Sequence, residues 1–265
     1  MKLDVLAIGA HPDDVELACG GTLALAARQG RKVGILHLTR GEHGSRGTPE
    51  ERLAEAEKAA AALGVAELAF LDFGDGGLRR GAAEEDELIE VLRTWRPELV
   101  LGPPARERHP DHWRAHELVA AASFYSGLAA RTGRGGPGEH RPHRPAAVYS
   151  YMQHHSFEPT FVVDVAAAWD AKLEALAAYR SQLHPLPGGR PAAAGSAPDE
   201  PPADEAPAIG GGVVTKISTL EFRLAVEGRA RHFGALIGAS LGEPFWSPLP
   251  LAVSDLMALL PGGIR

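Results

Sequence analysis

Four near-continuous apolar runs limit most sharply how this chain can fold: "LDVLAIGA" (3–10), "KVGILHLT" (32–39), "ELAFLDF" (67–73) and "ELVLGPP" (98–104). A strand that is apolar on both faces must be covered on both faces, the condition of a parallel sheet packed between helices. Two more runs, "AAVYSYM" (146–152) and "TFVVDV" (160–165), bring the predicted strands to six. Helical patterns separate the strands. In "TPEERLAEAEKAAAALG", Thr48 is placed to cap the helix and Pro49 to fill its first turn, while Glu51 closes a capping box and Gly64 ends the helix. "AEEDELIEVLRTW" has acids in its first turn and Arg93 in its last, and it stops before Pro97. "WRAHELVAAASFY" and "AAWDAKLEALAAYRSQL" supply two further helices. The alternation predicts an α/β fold, a Rossmann-like, doubly wound and mostly parallel sheet with helices on both faces.

A chain of 265 residues can bury a substantial core, and a single domain over 1–265 is expected. Residues 185–212, "PLPGGRPAAAGSAPDEPPADEAPAIGGG", break the pattern. They carry almost no large apolar side chains to offset their ordering entropy, so they read as a flexible surface insertion, favoured over an active-site lid. Order is expected to resume over 216–265. "STLEFRLAVEGRARHFGALIGASLG" reads as an amphipathic helix capped by Ser218, and "EPFWSPLPLAVSDLMALL" reads as a packed tail.

Composition narrows the function. The net charge of -7 argues against a nucleic-acid partner, which wants a basic face. No apolar run approaches the ~18–20 residues of a membrane span. The start "MKLDVLAIGAHPDD" has Asp4 and no small-residue cleavage site, so it does not read as a signal peptide. The single cysteine, Cys19, excludes an intrachain disulfide and suits a reducing cytoplasm, where it should pack as a small apolar residue. "GAHPDDVELACGG", which follows the first strand, has no G-x-G-x-x-G, and no G-x-x-x-x-G-K-[ST] occurs in the chain.

The reactive residues fall on two loops. Open α/β sheets bind ligands at the carboxyl ends of their strands, where strand order reverses, and in the common order strands 1 and 4 flank that crevice. The loop after strand 1 is "HPDD" and the loop after strand 4 is "ARERHPDHWRAH". Either alone could be an ordinary turn, because Pro and Asp favour turns and Asp caps helices. Together, on loops that should converge, they read as a metal site. His11, Asp14 and His112 supply two imidazoles and one carboxylate, and three protein ligands leave a position open, as catalytic zinc sites do. Iron(II), cobalt or manganese would also accept this set. Asp13, beside the metal but not bound to it, is the candidate general base. His109 is placed opposite, to donate to a developing oxyanion, with Asp111 orienting its imidazole. His37 reads as a core residue, His143 as part of a polar loop, and His154 and His155 as mostly exposed.

"AHPDD" after the first strand and "HPDH" after the fourth resemble the PIG-L/LmbE-like zinc N-deacetylases, which remove acetyl from N-acetylglucosaminyl substrates. The likeness extends to "LTRGEHGSRGTPEERLAEAEKAA", "RHPDHWRAHELV", "YRSQ" and "KISTLEFRLAVEGRARHFGALIG". These stretches resemble the branch that deacetylates N-acetylglucosaminyl malate in bacillithiol biosynthesis. The likeness covers most of the chain except 185–212. It implies one zinc per chain on His11, Asp14 and His112, Asp13 as base, and His109 with Asp111 as the oxyanion-stabilising pair. An arginine at the place of Arg52 contacts substrate in that family, and Arg108 is a second candidate for a malate carboxylate. A small sugar conjugate is the implied partner. A mycothiol-type conjugate, a chitooligosaccharide or a non-catalytic sugar-binding role are the alternatives. The apolar "FWSPLPLAV" and the resembled branch together suggest a homo-oligomer, a trimer or a hexamer.

Overall fold

The computed structural model describes residues 2–131, 141–184 and 213–255, so the insertion expected at 185–212 lies outside the described residues. The six predicted strands all form: β1 (Val5–Gly9), β2 (Val33–His37), β3 (Glu67–Phe70), β4 (Leu99–Gly102), β5 (Ala147–Tyr151) and β6 (Phe161–Asp164). A seventh, β7 (Gly242–Trp246), comes from the stretch read as a packed tail. The sheet order is β3-β2-β1-β4-β5-β7-β6. The first five strands pair in parallel, and β7 runs antiparallel between β5 and β6.

Side-chain alternation along the central strands builds two cores. Val5 and Ala7 of β1, Val33 and Ile35 of β2, and Leu101 of β4 face a cluster that includes residues of α1 (Asp14–Arg28), α2 (Pro49–Leu63) and α5 (Trp169–Ala178). Leu6, Ile8, Leu36 and Val100 face the opposite cluster, formed with α3 (Ala82–Trp95) and α4 (Pro110–Tyr125). Each fully buried valine, leucine or isoleucine among them contributes about 1.5–3 kcal/mol. The helices therefore cover both faces, as the apolar runs require.

The capping box of α2 forms as the residues predict, with Glu51 N–H donating to Thr48 and Thr48 N–H to Glu51. Pro49 sits in its first turn and Gly64 ends it in the left-handed conformation at φ 71°. The last helix, α6 (Leu220–Leu236), is capped differently from the reading above. Thr219 accepts the N–H of Phe222, whereas Ser218 ends a short 3-10 turn over Lys216–Ser218 and closes a box with Thr215. Adjacent threonine and serine offer the same hydroxyl chemistry, and only the backbone path selects which one caps.

α1 is broken. Cys19 has φ -134°, outside helical geometry, and the N–H groups of Gly21 and Thr22 turn to the carboxylate of Glu243 on β7, at 3.0 and 2.7 Å. The carbonyl of Leu17 on the other side of the break accepts from Lys172 and Arg229. Glu243 and Lys172, each almost fully buried, also pair directly. A strand missed in the sequence thus supplies the cap for the second half of α1. Cys19 itself is fully buried, as expected of a small apolar residue.

Glu243→Gln should destabilise the fold by ~3–5 kcal/mol, because it leaves the Lys172 ammonium buried without its counter-charge. Urea unfolding checks this, and adding Lys172→Met should restore part of the loss. A loss no larger than that of an exposed substitution would contradict the assignment.

Candidate active site

β1 and β4 lie side by side, so the loops that leave their carboxyl ends face each other across one cleft of about 230 Å³. The first loop runs from Gly9 into α1, and Asp14 is the first helical residue. Asp14 Oδ2 accepts the backbone N–H of His11 at 2.9 Å, which folds the tight turn. Asp13 occupies the cap position at φ 104° and ψ -26°, yet its side chain caps no helix N–H. A non-glycine residue held in that region stores roughly 1–3 kcal/mol of strain, and such residues cluster at functional sites. The second loop ends in α4, where His109 is the N-cap and accepts the Asp111 N–H on Nδ1 at 3.2 Å.

The structure brings His11, Asp14 and His112 together. Asp14 Oδ2 lies 3.5 Å from His11 Nδ1, and Asp14 Oδ1 lies 3.1 Å from His112 Nε2. His109 is closer to both imidazoles than its placement opposite them suggests. Its ring centroid is 4.8 Å from that of His11 and 5.1 Å from that of His112, and one nitrogen from each of the three rings falls within 4.8 Å of the others. His11 also faces two further carboxylates, with Nε2 3.0 Å from Asp75 and 3.3 Å from Asp111. Asp75 was not singled out from the sequence. It lies in "FGDGG" beyond β3, where an aspartate between glycines is indistinguishable from a turn residue.

The Asp111 contact differs from the expected one, and Arg52 makes contacts that the sequence did not specify. Asp111 meets His109 through its backbone N–H, while its carboxylate accepts from Gly76 N–H at 2.7 Å and from Arg114 at 3.4 Å. Arg52 lines the cleft but is 4% exposed, and its guanidinium donates to the carbonyls of Gly41 and Pro12. Gly41 sits at φ 67°, and a Cβ there would fall on that guanidinium, so the turn and the arginine require each other. Arg52 braces the loop after β1 against the loop after β2 and stays 3.9 Å from Asp13. Arg108 is exposed and lines the same cleft. His154, expected to be exposed, lines the cleft and stacks on Phe222 with ring centroids 5.4 Å apart, whereas His155 is exposed and His37 fully buried. The carboxylate of Glu107 holds His154 there, accepting the backbone N–H groups of His154 and His155.

Burial dominates the electrostatics. It pushes the Asp13 carboxyl up to about 7, against the pull of Arg52 and with the help of Asp14. Burial opposes charge on His11 too, but hydrogen bonds to Asp111, Asp14 and Asp75 overcome it and hold the imidazole well above its usual range. Burial would also raise Asp14, and the charge of His112 and the hydrogen bond from His11 reverse it, holding the carboxyl well below the usual range. Burial and the nearby charges of His11 and His112 lower His109.

The donor set fits a divalent ion. Imidazole nitrogens and carboxylate oxygens suit zinc and its first-row neighbours. His112 presents Nε2 to Asp14 Oδ1 and His11 presents Nδ1 to Asp14 Oδ2, so one nitrogen of each imidazole lies beside the same carboxylate.

Comparison with known proteins places this arrangement. Residues 6–123 match the model of the PIG-L family, described as GlcNAc-PI de-N-acetylase. The diacetylchitobiose deacetylase of Thermococcus kodakarensis is 34% identical over 192 residues, 68% of this chain and 70% of that protein. A 1D-myo-inositol 2-acetamido-2-deoxy-alpha-D-glucopyranoside deacetylase of Kineococcus radiotolerans is 33% identical over 189 residues, 56% of this chain and 52% of that protein, so the match spans about half of that relative. The crystal structure of a conserved protein from Thermus thermophilus superposes with a TM-score of 0.78 at 36% identity, covering 96% of this chain and 98% of that one. The chain therefore belongs to the PIG-L family of de-N-acetylases and is a hydrolase of that class.

Proposed function

We propose that this protein hydrolyses the acetamide of an N-acetylglucosamine conjugate, with one divalent metal ion, zinc in the first instance, held by His11, Asp14 and His112. One observation carries the reading. Two adjacent buried aspartates stand in different surroundings: Asp14 is gripped by both imidazoles and a backbone N–H, while Asp13 is strained, caps no helix N–H and has Arg52 as its ion-pair contact. A sugar-binding module without catalysis has no use for that second carboxylate.

When bound, the ion supplies Lewis-acid chemistry, acidifying a water and polarising a carbonyl. Asp13 takes the proton of the attacking water and returns it to the leaving sugar amine. His109 holds the developing oxyanion. The Asp111 N–H occupies Nδ1, so the neutral imidazole carries its proton on Nε2 and donates from there. Arg52 holds the loop after β1 against the loop after β2 through Pro12 and Gly41.

The acceptor end of the cleft favours an anionic aglycone. Arg108 projects at its rim, and the two carboxylates of N-acetylglucosaminyl malate suit a guanidinium. The relatives named for chitobiose and inositol conjugates support a second reading, a neutral aglycone. Exposed Trp246, Leu249, Leu251 and Val253 around the end of β7 support assembly into a trimer or hexamer, which light scattering at micromolar concentration checks.

Metal analysis and acetate release on the same preparations test the site. His11→Ala, His112→Ala and Asp14→Asn should lose the ion. Asp13→Asn should keep it and lose roughly 10²–10⁴-fold in rate. Full occupancy in the first three variants sinks the ligand assignment, and full activity of Asp13→Asn sinks the base. Asp13→Gly should also abolish turnover while melting no lower than the parent, since glycine occupies φ 104° without strain.

Substrate choice is read from three conjugates assayed side by side, bearing malate, inositol or a second sugar. Arg108→Ala should raise KM for the malate conjugate about tenfold or more, the worth of a charge-assisted hydrogen bond of ~1.5–3 kcal/mol, and leave the neutral ones unchanged. Preference of the parent enzyme for a neutral conjugate decides for the second reading.

A further inference from the structure

The family match ends at residue 123, yet the part of the chain beyond it reaches the centre of the site. Gln153 lies just past the end of β5 and is 6% exposed. Its Nε2 donates to Asp14 Oδ1 at 2.8 Å. A carboxylate only accepts, so the amide must turn its nitrogen towards Asp14, and chemistry alone sets its orientation. The other oxygen, Oδ2, accepts the N–H of His11. Both oxygens of Asp14 are thus pinned, one by its own turn and one by a strand two places along the sheet.

Gln153 is held in its turn. Arg229 on α6 donates through one terminal nitrogen to the carbonyl of Gln153 and through the other to the carbonyl of Leu17, the latter at 3.1 Å. Leu17 borders the break in α1, whose first residue is Asp14. A single planar cation therefore ties the start of α1 to the end of β5, a task that needs two donors at a fixed spacing.

We propose that Gln153 is a positioning residue for Asp14, and that Arg229 fixes Gln153 and the first turn of α1 in the register this requires. The proposal rests on Asp14 being a metal ligand. Partners that orient a ligand are typically worth 10–100-fold in metal affinity. Gln153 and Arg229 would supply this from outside the matched segment.

The test uses the full chain, with zinc affinity measured by competition against a chromophoric chelator, melting of the metal-free protein, and kcat and KM. Gln153→Met preserves volume and removes the donor. It should weaken zinc binding about 10–100-fold, lower kcat more than KM, and leave the metal-free melting temperature near that of the parent. Arg229→Lys, which keeps the charge but cannot span both carbonyls, should move affinity in the same direction by less, and it decides the matter should Gln153→Met fail to fold. Asp14→Ala is the control. Retention of zinc by Asp14→Ala would overturn the ligand reading itself. Loss of zinc there, with parent affinity in Gln153→Met and Arg229→Lys, would overturn the positioning role alone.

Discussion

The parallel pairing of β1 with β4 is the constraint on which everything else depends. Val5, Leu6 and Ala7 register with Leu99, Val100 and Leu101, and the chain leaves the carboxyl end of each strand into a histidine-proline-aspartate turn. At that switch point the helices that follow pack on opposite faces, α1 against one core and α4 against the other. A crevice is left between them. Residues about a hundred apart in sequence meet there, so that the two oxygens of Asp14 address imidazoles from both loops.

Holding that arrangement costs free energy locally, and the surrounding fold offsets it. Asp13 stays in a left-handed conformation with a carboxyl that burial pushes towards about 7, neither of which a stability-driven sequence would choose. α1 gives up its own hydrogen bonds at Cys19, and the N–H and carbonyl groups freed there are taken by Glu243, Lys172 and Arg229. The buried Lys172–Glu243 pair is therefore more than a charge pair. Its members replace missing helix hydrogen bonds, which satisfies the buried polar groups that a kink would otherwise orphan. The kink in turn leaves the carbonyl of Leu17 free to accept from Arg229, and both residues line the cleft.

Polarity within the cleft is divided. Carboxylates and imidazoles gather around His11, where Asp75 and Asp111 add to the field. The lining also includes the exposed Arg108 and the apolar Ile217 and Phe222, the latter stacked with His154. Ile217 and Phe222 come from the turn before α6 and from α6 itself, beyond the segment that matches the family model.

Much of this was legible in the order of residues. Continuous apolar runs identified six strands and the parallel pairing of the first four, because burial on both faces leaves no room for alternation. The two loops stood out because their ligand types lie between a strand end and the helix that follows, which is local information. β7 was not legible. "GEPFW" contains a glycine, a proline and the buried Glu243, and its strand state depends on β5 and β6 being there to pair with it. The cap of α6 at Thr219 rather than Ser218, the bracing role of Arg52, and the contacts of Asp75, Gln153 and Arg229 were equally out of reach. Sequence determined which residues could bind protons and metal and which strands would carry them. Only the tertiary structure decided which donors face which oxygens, because hydrogen bonds and burial act over a few ångströms between residues far apart along the chain.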